Sequence, residues 1–228
     1  MIILIFDLDG TLIDTLPQYK ANFTQVLHKR YGVDKEKSAK IYTSTFGDFS
    51  LDKQFRLVLN NRYDYYKITA KDIEIVINDF WRLYNKIEIK AMPGANEALL
   101  QLHKKDYKMT LSTNVRTDLA SKSLEKVGLR KYFIKDLILG YEFDNPKMRK
   151  GIGHYFIIRK KLDIKDSDII IVVGDGESDM RFAKSQNAIA LGKLGTISKD
   201  KLMGAGANRT FENLSELPDL IENIISKN

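Results

Sequence analysis

Hydrophobic positions along the chain follow two different rhythms. Ile2, Ile3, Leu4, Ile5 and Phe6 form an apolar run without alternation that stops abruptly at Asp7, Asp9, Gly10 and Thr11. Such a run predicts a strand buried on both faces of a parallel sheet, its end meeting water. From Thr15 to Ile89 the spacing turns helical. Leu16, Phe23, Val26, Leu27 and Tyr31 share a face and Gly32 stops the helix; a weaker helix over Asp34 to Phe46 ends at Gly47. Ser50 is a candidate cap for a helix carrying Phe55, Val58 and Leu59, and Thr69 for one carrying Ile73, Val76, Ile77, Phe80 and Tyr84. Asp14 and Thr15 read as caps of the first of these four helices.

Beyond Ala91, strand and helix alternate. Pro93 and Gly94 open a helix through His103, and Lys108 to Leu111 is a short strand ending in Ser112, Thr113 and Asn114. Then come a helix near Asp118 to Val127, a strand at Leu137 to Leu139 and a helix near Gly151 to Lys161. Asp168 to Val173 is the second strongly apolar strand, and Gly174, Asp175, Gly176, Glu177, Ser178 and Asp179 follow it. A helix near Ser178 to Ser185, a strand at Ala188 to Leu191, a short helix before Gly204 and an amphipathic helix from Leu217 complete the chain. The alternation predicts an α/β fold, a parallel sheet with helices on both faces. Residues 1–14 and 90–228 would form that core, with 15–89 an inserted all-helical block placed to act as a lid over the first strand's end.

Length and composition restrict the classes. At 228 residues and 43% hydrophobic, one core with an insert is expected. The absence of cysteine excludes a disulfide framework and a thiolate nucleophile or metal site. The opening apolar run is too short for a secretory or membrane segment, so the expectation is a cytoplasmic protein with no membrane association. The net charge of +7 is concentrated: Leu16 to Lys86 holds 13 Lys and Arg against 8 Asp and Glu. Each such lysine reads as solvated helix surface, and as a group they suit an anionic ligand.

Candidate chemistry gathers at three strand ends: Asp7 with Asp9, Ser112 to Asn114, and Gly174 to Asp179. In a parallel sheet these ends share one edge, where open α/β sheets bind ligands. If the chain stays extended past Phe6, Asp7 and Asp9 face one site, and two close carboxylates repel unless a cation compensates them. A hard divalent cation, Mg2+ by default, is the natural partner of oxygen ligands. Any one of these residues alone would read as a turn or cap residue; their coincidence carries the assignment.

With FDLDGTLID at the start and VVGDGESD near the end, the chain resembles the haloacid dehalogenase superfamily of aspartate-nucleophile phosphohydrolases, whose motifs are Asp-x-Asp-Gly-Thr and Gly-Asp-x-x-x-Asp. The resemblance implies a Rossmann-like core with an inserted helical cap. It implies Asp7 as the nucleophile and Asp9 as general acid and base. Mg2+ would be held by Asp7, the Asp9 carbonyl and Asp175, with Asp179 in support, and Thr113 and Asn114 would bind the phosphate. The family's motif lysine falls in FDNPKMRKGIGHYF, which departs from the usual Lys-Pro; Lys150 fits its spacing best, with Lys147 the alternate and Arg149 nearby. His154 reads as a packed or surface histidine.

Asp9 argues against a dehalogenase or phosphonatase, neither of which needs an acid for an alkoxide. The helical insert, the Pro93-Gly94 helix start and GTISKDKLMGAGA look most like the phosphoglycolate phosphatase-like subfamily, which implies hydrolysis of a small phosphorylated metabolite by a monomer or homodimer. Specificity is expected in the insert, with Lys20, Arg56 and Arg62 as candidates. A phosphomutase shares every motif. A phospho-aspartate signalling domain is disfavoured because it lacks a large insert, and nucleic-acid binding because the basic residues are dispersed.

Overall fold

The computed structural model describes residues 1–228 apart from 46–49, 61–67, 85, 87, 143–148 and 227–228. The chain starts with β1 (Ile2–Phe6) and the two-residue strand β2 (Ile13–Asp14), followed by helices α1 (Leu16–Tyr31), α2 (Lys35–Thr45), α3 (Leu51–Asn60) and α4 (Ala70–Tyr84). Next are β3 (Lys90–Ala91), α5 (Ala95–Lys104), β4 (Lys108–Arg116), α6 (Thr117–Lys126), β5 (Ile138–Tyr141) and α7 (Ile152–Leu162). The remainder comprises β6 (Ile169–Gly174), α8 (Glu177–Ser185), β7 (Ile189–Lys193), α9 (Lys199–Ala205), β8 (Arg209–Phe211) and α10 (Leu217–Ile225). The chain divides into two compact units, one of Met1–Asp14 with Ile89–Asn228 and one of Thr15–Glu88.

The first unit is built on a six-stranded sheet in the order β5-β4-β1-β6-β7-β8, every neighbouring pair parallel. β1 lies between β4 and β6, with Phe6 in register with Leu111 on one side and Val173 on the other. Because side chains alternate along a strand, a central strand covered on both faces needs apolar residues at every position. Ile3 and Ile5 join Val172, Ala190 and Leu139 in a cluster with Tyr155 and Ile158 of α7 and Met180 and Ala183 of α8. Leu4 and Phe6 project from the opposite face, both fully buried, and Phe6 meets Phe133 edge-on at 5.9 Å. Each such side chain contributes about 1.5–3 kcal/mol by leaving water.

The second unit is a block of four helices around aromatic residues. Phe23 of α1 stacks on Phe55 of α3 at 4.6 Å and lies 5.1 Å from Tyr42 of α2, while Tyr19 lies 5.3 Å from Phe80 of α4. Such pairs are worth about 0.5–1.5 kcal/mol beyond the area they bury. Gly32 ends α1 in the left-handed conformation at φ 60°, its N–H closing onto His28 and Leu27. Thr69 caps α4 reciprocally, its hydroxyl accepting from Asp72 N–H at 3.2 Å while Asp72 accepts from Thr69 N–H at 2.9 Å. Among the described residues no helix is long and apolar enough to cross a membrane.

Several local expectations change. β4 continues through the polar residues to Arg116, because Ser112 and Arg116 pair with Leu139 and Tyr141 of β5 across an irregular register. Thr15 occupies the N-cap of α1 without a side-chain cap bond, and the Ser50 hydroxyl donates to Asp52 at 2.6 Å. Phe46 and Gly47 lie outside the described residues. Three short strands escape the hydrophobic pattern. β2 and β3 pair antiparallel, Ile13 with Ala91, where the chain leaves the sheet unit and returns to it. β8 adds an edge to the sheet with only Phe211 buried of its three residues, too little for a period to register.

Phe23 is fully buried among rings. Phe23→Ala is predicted to cost the helical unit about 3–5 kcal/mol. Hydrogen exchange should show protection falling over Thr15–Glu88 well before it falls in the sheet unit; unchanged protection there would contradict this packing account.

Candidate active site

From β1 the chain's later strands extend the sheet to one side with β4 and β5 and to the other with β6, β7 and β8, so the carboxyl end of β1 is a topological switch point. Asp7 stands there. Its N–H donates to Val173 O at 2.9 Å, which carries the ladder one residue beyond the strand. The chain then turns, with the Leu8 carbonyl accepting from the N–H groups of Thr11, Leu12 and Ile13 at 3.3, 2.8 and 3.1 Å. Gly10 makes the turn possible at φ 75°, and any Cβ there would lie 2.1 Å from Asp175 Oδ2. Gly174, ending β6, is equally constrained: a Cβ would fall 2.5 Å from the Asp179 carboxyl carbon.

These approaches bring three carboxylates together. One oxygen from each of Asp7, Asp175 and Asp179 lies within 4.8 Å of the others, and the three residues are 9%, 3% and 4% exposed. Lys150, just ahead of α7, places Nζ 2.8 Å from Asp7 Oδ2 and 2.8 Å from Asp179 Oδ1. Asp179, in the first turn of α8, also accepts from Gly176 N–H at 3.3 Å. Asp175 is held by hydroxyls, Thr11 donating to Oδ1 at 3.1 Å and Thr196 to Oδ2.

One ammonium among three carboxylates leaves excess negative charge. Burial pushes all three carboxyls above their usual range, Asp179 to about 6, with Lys150 opposing the rise at Asp7 and Asp179. Burial alone would lower the Lys150 ammonium, but Asp179 and Asp7 outweigh it and hold its pKa raised. The amine is charged at any physiological pH, and among the described residues the carboxyls have no further cation in contact. An all-oxygen, carboxylate-rich donor set fits a divalent metal ion.

A cavity of about 120 Å³ opens beside this cluster, lined by Asp7, Ser112, Asn114, Lys150, Ser178 and Asp179 among others. Ser112 and Asn114 share a side of β4, as residues two apart must. Thr113 between them is buried, and its hydroxyl accepts from Val115 N–H at 3.2 Å. His154 is packed and fully buried. Its Nε2 lies 3.1 Å from Gly140 O, which only accepts, so Nε2 carries the proton and Nδ1 accepts from the Ser112 hydroxyl at 2.9 Å. Asp9 is half-buried, bridges to Ile13, and is not one of the three converging carboxylates.

Of the remaining sequence candidates, Arg149 and Lys20 are exposed and Arg56 is half-buried on α3; Lys147 and Arg62 lie outside the described residues. Sequence reasoning missed Thr196 and the Ser112–His154 pair. Their signal was weak: a threonine three residues past the end of β7 in GTIS, and a serine where the strand should still be apolar.

The sequence model of the haloacid dehalogenase-like hydrolases matches residues 4–192, and the chain belongs to this family of enzymes. It is similar to a phosphoglycolate phosphatase of Vibrio parahaemolyticus, 25% identical over 95% of this chain and 94% of the relative. Among solved structures, a predicted phosphatase from Clostridium acetobutylicum superposes with a TM-score of 0.78 at 24% identity, covering 97% of this chain and 98% of that one. A putative β-phosphoglucomutase from Thermotoga maritima superposes with 0.68 at 21% identity, covering 98% and 100%.

The raised carboxyls predict a pH dependence for the metal-free protein. A carboxyl that holds its proton more tightly when folded stabilises fully below about pH 4, its unfolded value, and that contribution disappears as pH rises through about 6. In EDTA, stability should therefore fall between about pH 4 and 6, Asp179 accounting for at most about 3 kcal/mol. Denaturant midpoints of wild type and Asp179→Asn check this: the variant's profile should be flatter, and an identical profile would contradict the assignment.

Proposed function

We propose that the enzyme hydrolyses a small phosphate monoester with Mg2+ through an aspartyl-phosphate on Asp7, as a phosphatase of the phosphoglycolate phosphatase type. The observation that carries this reading is Lys150 bridging Asp7 and Asp179 beside a third buried carboxylate. Asp7, the Asp9 carbonyl and Asp175 would hold the metal, with Asp179 in support. Bound Mg2+ supplies positive charge that offsets the carboxylates and the phosphoryl oxygens.

In the first step an Asp7 oxygen forms a bond to phosphorus as the bond to the leaving alkoxide breaks, and the Asp9 carboxyl donates its proton to that alkoxide. Asp9, now a carboxylate, takes a proton from the water that attacks phosphorus, and inorganic phosphate leaves with Asp7 regenerated. Lys150 stabilises the negative charge shared by Asp7 and the phosphoryl group. The Thr113 hydroxyl accepts from Val115 N–H and would donate its own proton to a phosphoryl oxygen, and Asn114 lines the cavity beside Asp7. The helical unit, connected through β2 and β3, would serve as the cap that limits substrate size and excludes water. A small phosphorylated metabolite is the partner, with neither nucleic acid nor membrane involved, and the cysteine-free chain suits the cytoplasm.

A phosphomutase is the second reading, favoured by the likeness to a structure named as a β-phosphoglucomutase. Phosphate release from phosphoglycolate, sugar phosphates, nucleotides and pyrophosphate, with Mg2+ and with EDTA, separates the two. Mg2+-dependent release is expected, lost about a thousandfold or more in Asp7→Asn and about a hundredfold in Lys150→Met. Transfer within a sugar phosphate without net release would favour the mutase. Folded wild type that turns over none of these compounds would overturn both.

A further inference from the structure

We propose that Thr196 is a positioning residue for the metal site: its hydroxyl, with that of Thr11, fixes the Asp175 carboxylate in the orientation that binds the cation. The inference rests on the metal reading given above. Asp7 and Asp179 both take hold of Lys150, each through one oxygen at 2.8 Å. Among the described residues no ammonium contacts Asp175 in this way. Instead its two oxygens receive one hydroxyl each, Oδ1 from Thr11 at 3.1 Å and Oδ2 from Thr196. With both oxygens engaged, rotation of the carboxylate is restrained, yet each oxygen keeps lone pairs for a metal ion.

The two threonines arrive from ends of the sheet unit that are remote in sequence. Thr11 belongs to the turn after β1 and Thr196 to the loop between β7 and α9, 21 residues beyond Asp175. That loop is pinned on each side. Leu194 N–H donates to Phe211 O at 2.8 Å, the buried Lys193 ammonium donates to Leu194 O at 2.6 Å, and Ser198 caps α9 by accepting from Lys201 N–H at 3.4 Å. Gly10 closes the arrangement, since a Cβ there would lie 2.1 Å from Asp175 Oδ2 and 2.9 Å from Thr196 Oγ1. A rigid loop, a glycine-permitted approach and a hydroxyl on the one carboxylate without an ammonium form a built support for the ligand. Thr196 lies past residue 192, where the family match ends.

Groups that orient a metal ligand commonly change affinity by 10–100-fold when removed. Mg2+ titrated calorimetrically into wild type, Thr196→Val and Thr196→Ser, together with the metal-free melting temperature of each, tests the role. Valine keeps the shape and removes the donor; serine keeps the donor. The expected result is a Kd for Mg2+ raised at least tenfold in Thr196→Val and within about threefold of wild type in Thr196→Ser, with kcat of the valine variant recovering at high Mg2+. If valine lowers the melting temperature as well, the serine variant decides, because lost packing alone would not spare Mg2+ affinity in the shorter side chain. Equal Kd values in wild type and Thr196→Val would overturn the proposal while leaving the metal reading intact. Wild type that binds no Mg2+ would remove the metal reading and this inference with it.

Discussion

Three carboxylates buried around a single ammonium set the terms for this enzyme. Asp7, Asp175 and Asp179 converge to within 4.8 Å, and Lys150 reaches two of them. Burial raises the proton affinity of all three, and like charges at such separations add to the effect. The cluster can be relieved in two ways, by protons or by a cation. At neutral pH protons are scarce relative to the raised pKa of about 6 at Asp179, which leaves the cation. The same imbalance acts on Asp7, which lines the cavity beside the cluster.

The surrounding fold makes that unfavourable arrangement affordable. β1 and β6 are apolar along their whole length and bury Ile3, Leu4, Ile5, Phe6, Ile171, Val172 and Val173 almost completely, and this burial outweighs the cost of polar groups at the strand ends. Gly10 and Gly174 remove the two side-chain carbons that would keep the carboxylates apart. Charge, close approach and apolar support are therefore one design: the glycines are needed because the aspartates converge, and the convergence is tolerated because the strand segments leading into it are buried.

How much of this is legible in the sequence depends on the range of the interaction. β1 and β6 are plain because a strand covered on both faces has no alternation to misread, and the acidic and glycine residues just beyond them announce the site. Lys150, the lysine preferred from the resemblance, lies 2.8 Å from Asp7. By contrast β2, β3 and β8 hold two or three residues each, too few for an alternation to be recognised. The side of β4 that faces the cavity could not be read, because the strand runs five residues past Leu111 and its alternation assigns Ser112 and Asn114 to the cavity. Thr196 is silent in the sequence for a different reason: a threonine acquires meaning only when the fold brings the β7 loop against Asp175.

Protons released on metal uptake report directly on the buried charge. Calorimetric titration of Mg2+ at pH 6 in buffers of different ionisation enthalpy measures that number. If metal ion and proton compete for the same carboxyls, a substantial fraction of a proton should leave per cation bound at pH 6, shrinking toward zero by pH 8. Tight Mg2+ binding at pH 6 with no proton release would contradict the account, for it would mean that the cation sits elsewhere or that the three aspartates are ionised without it.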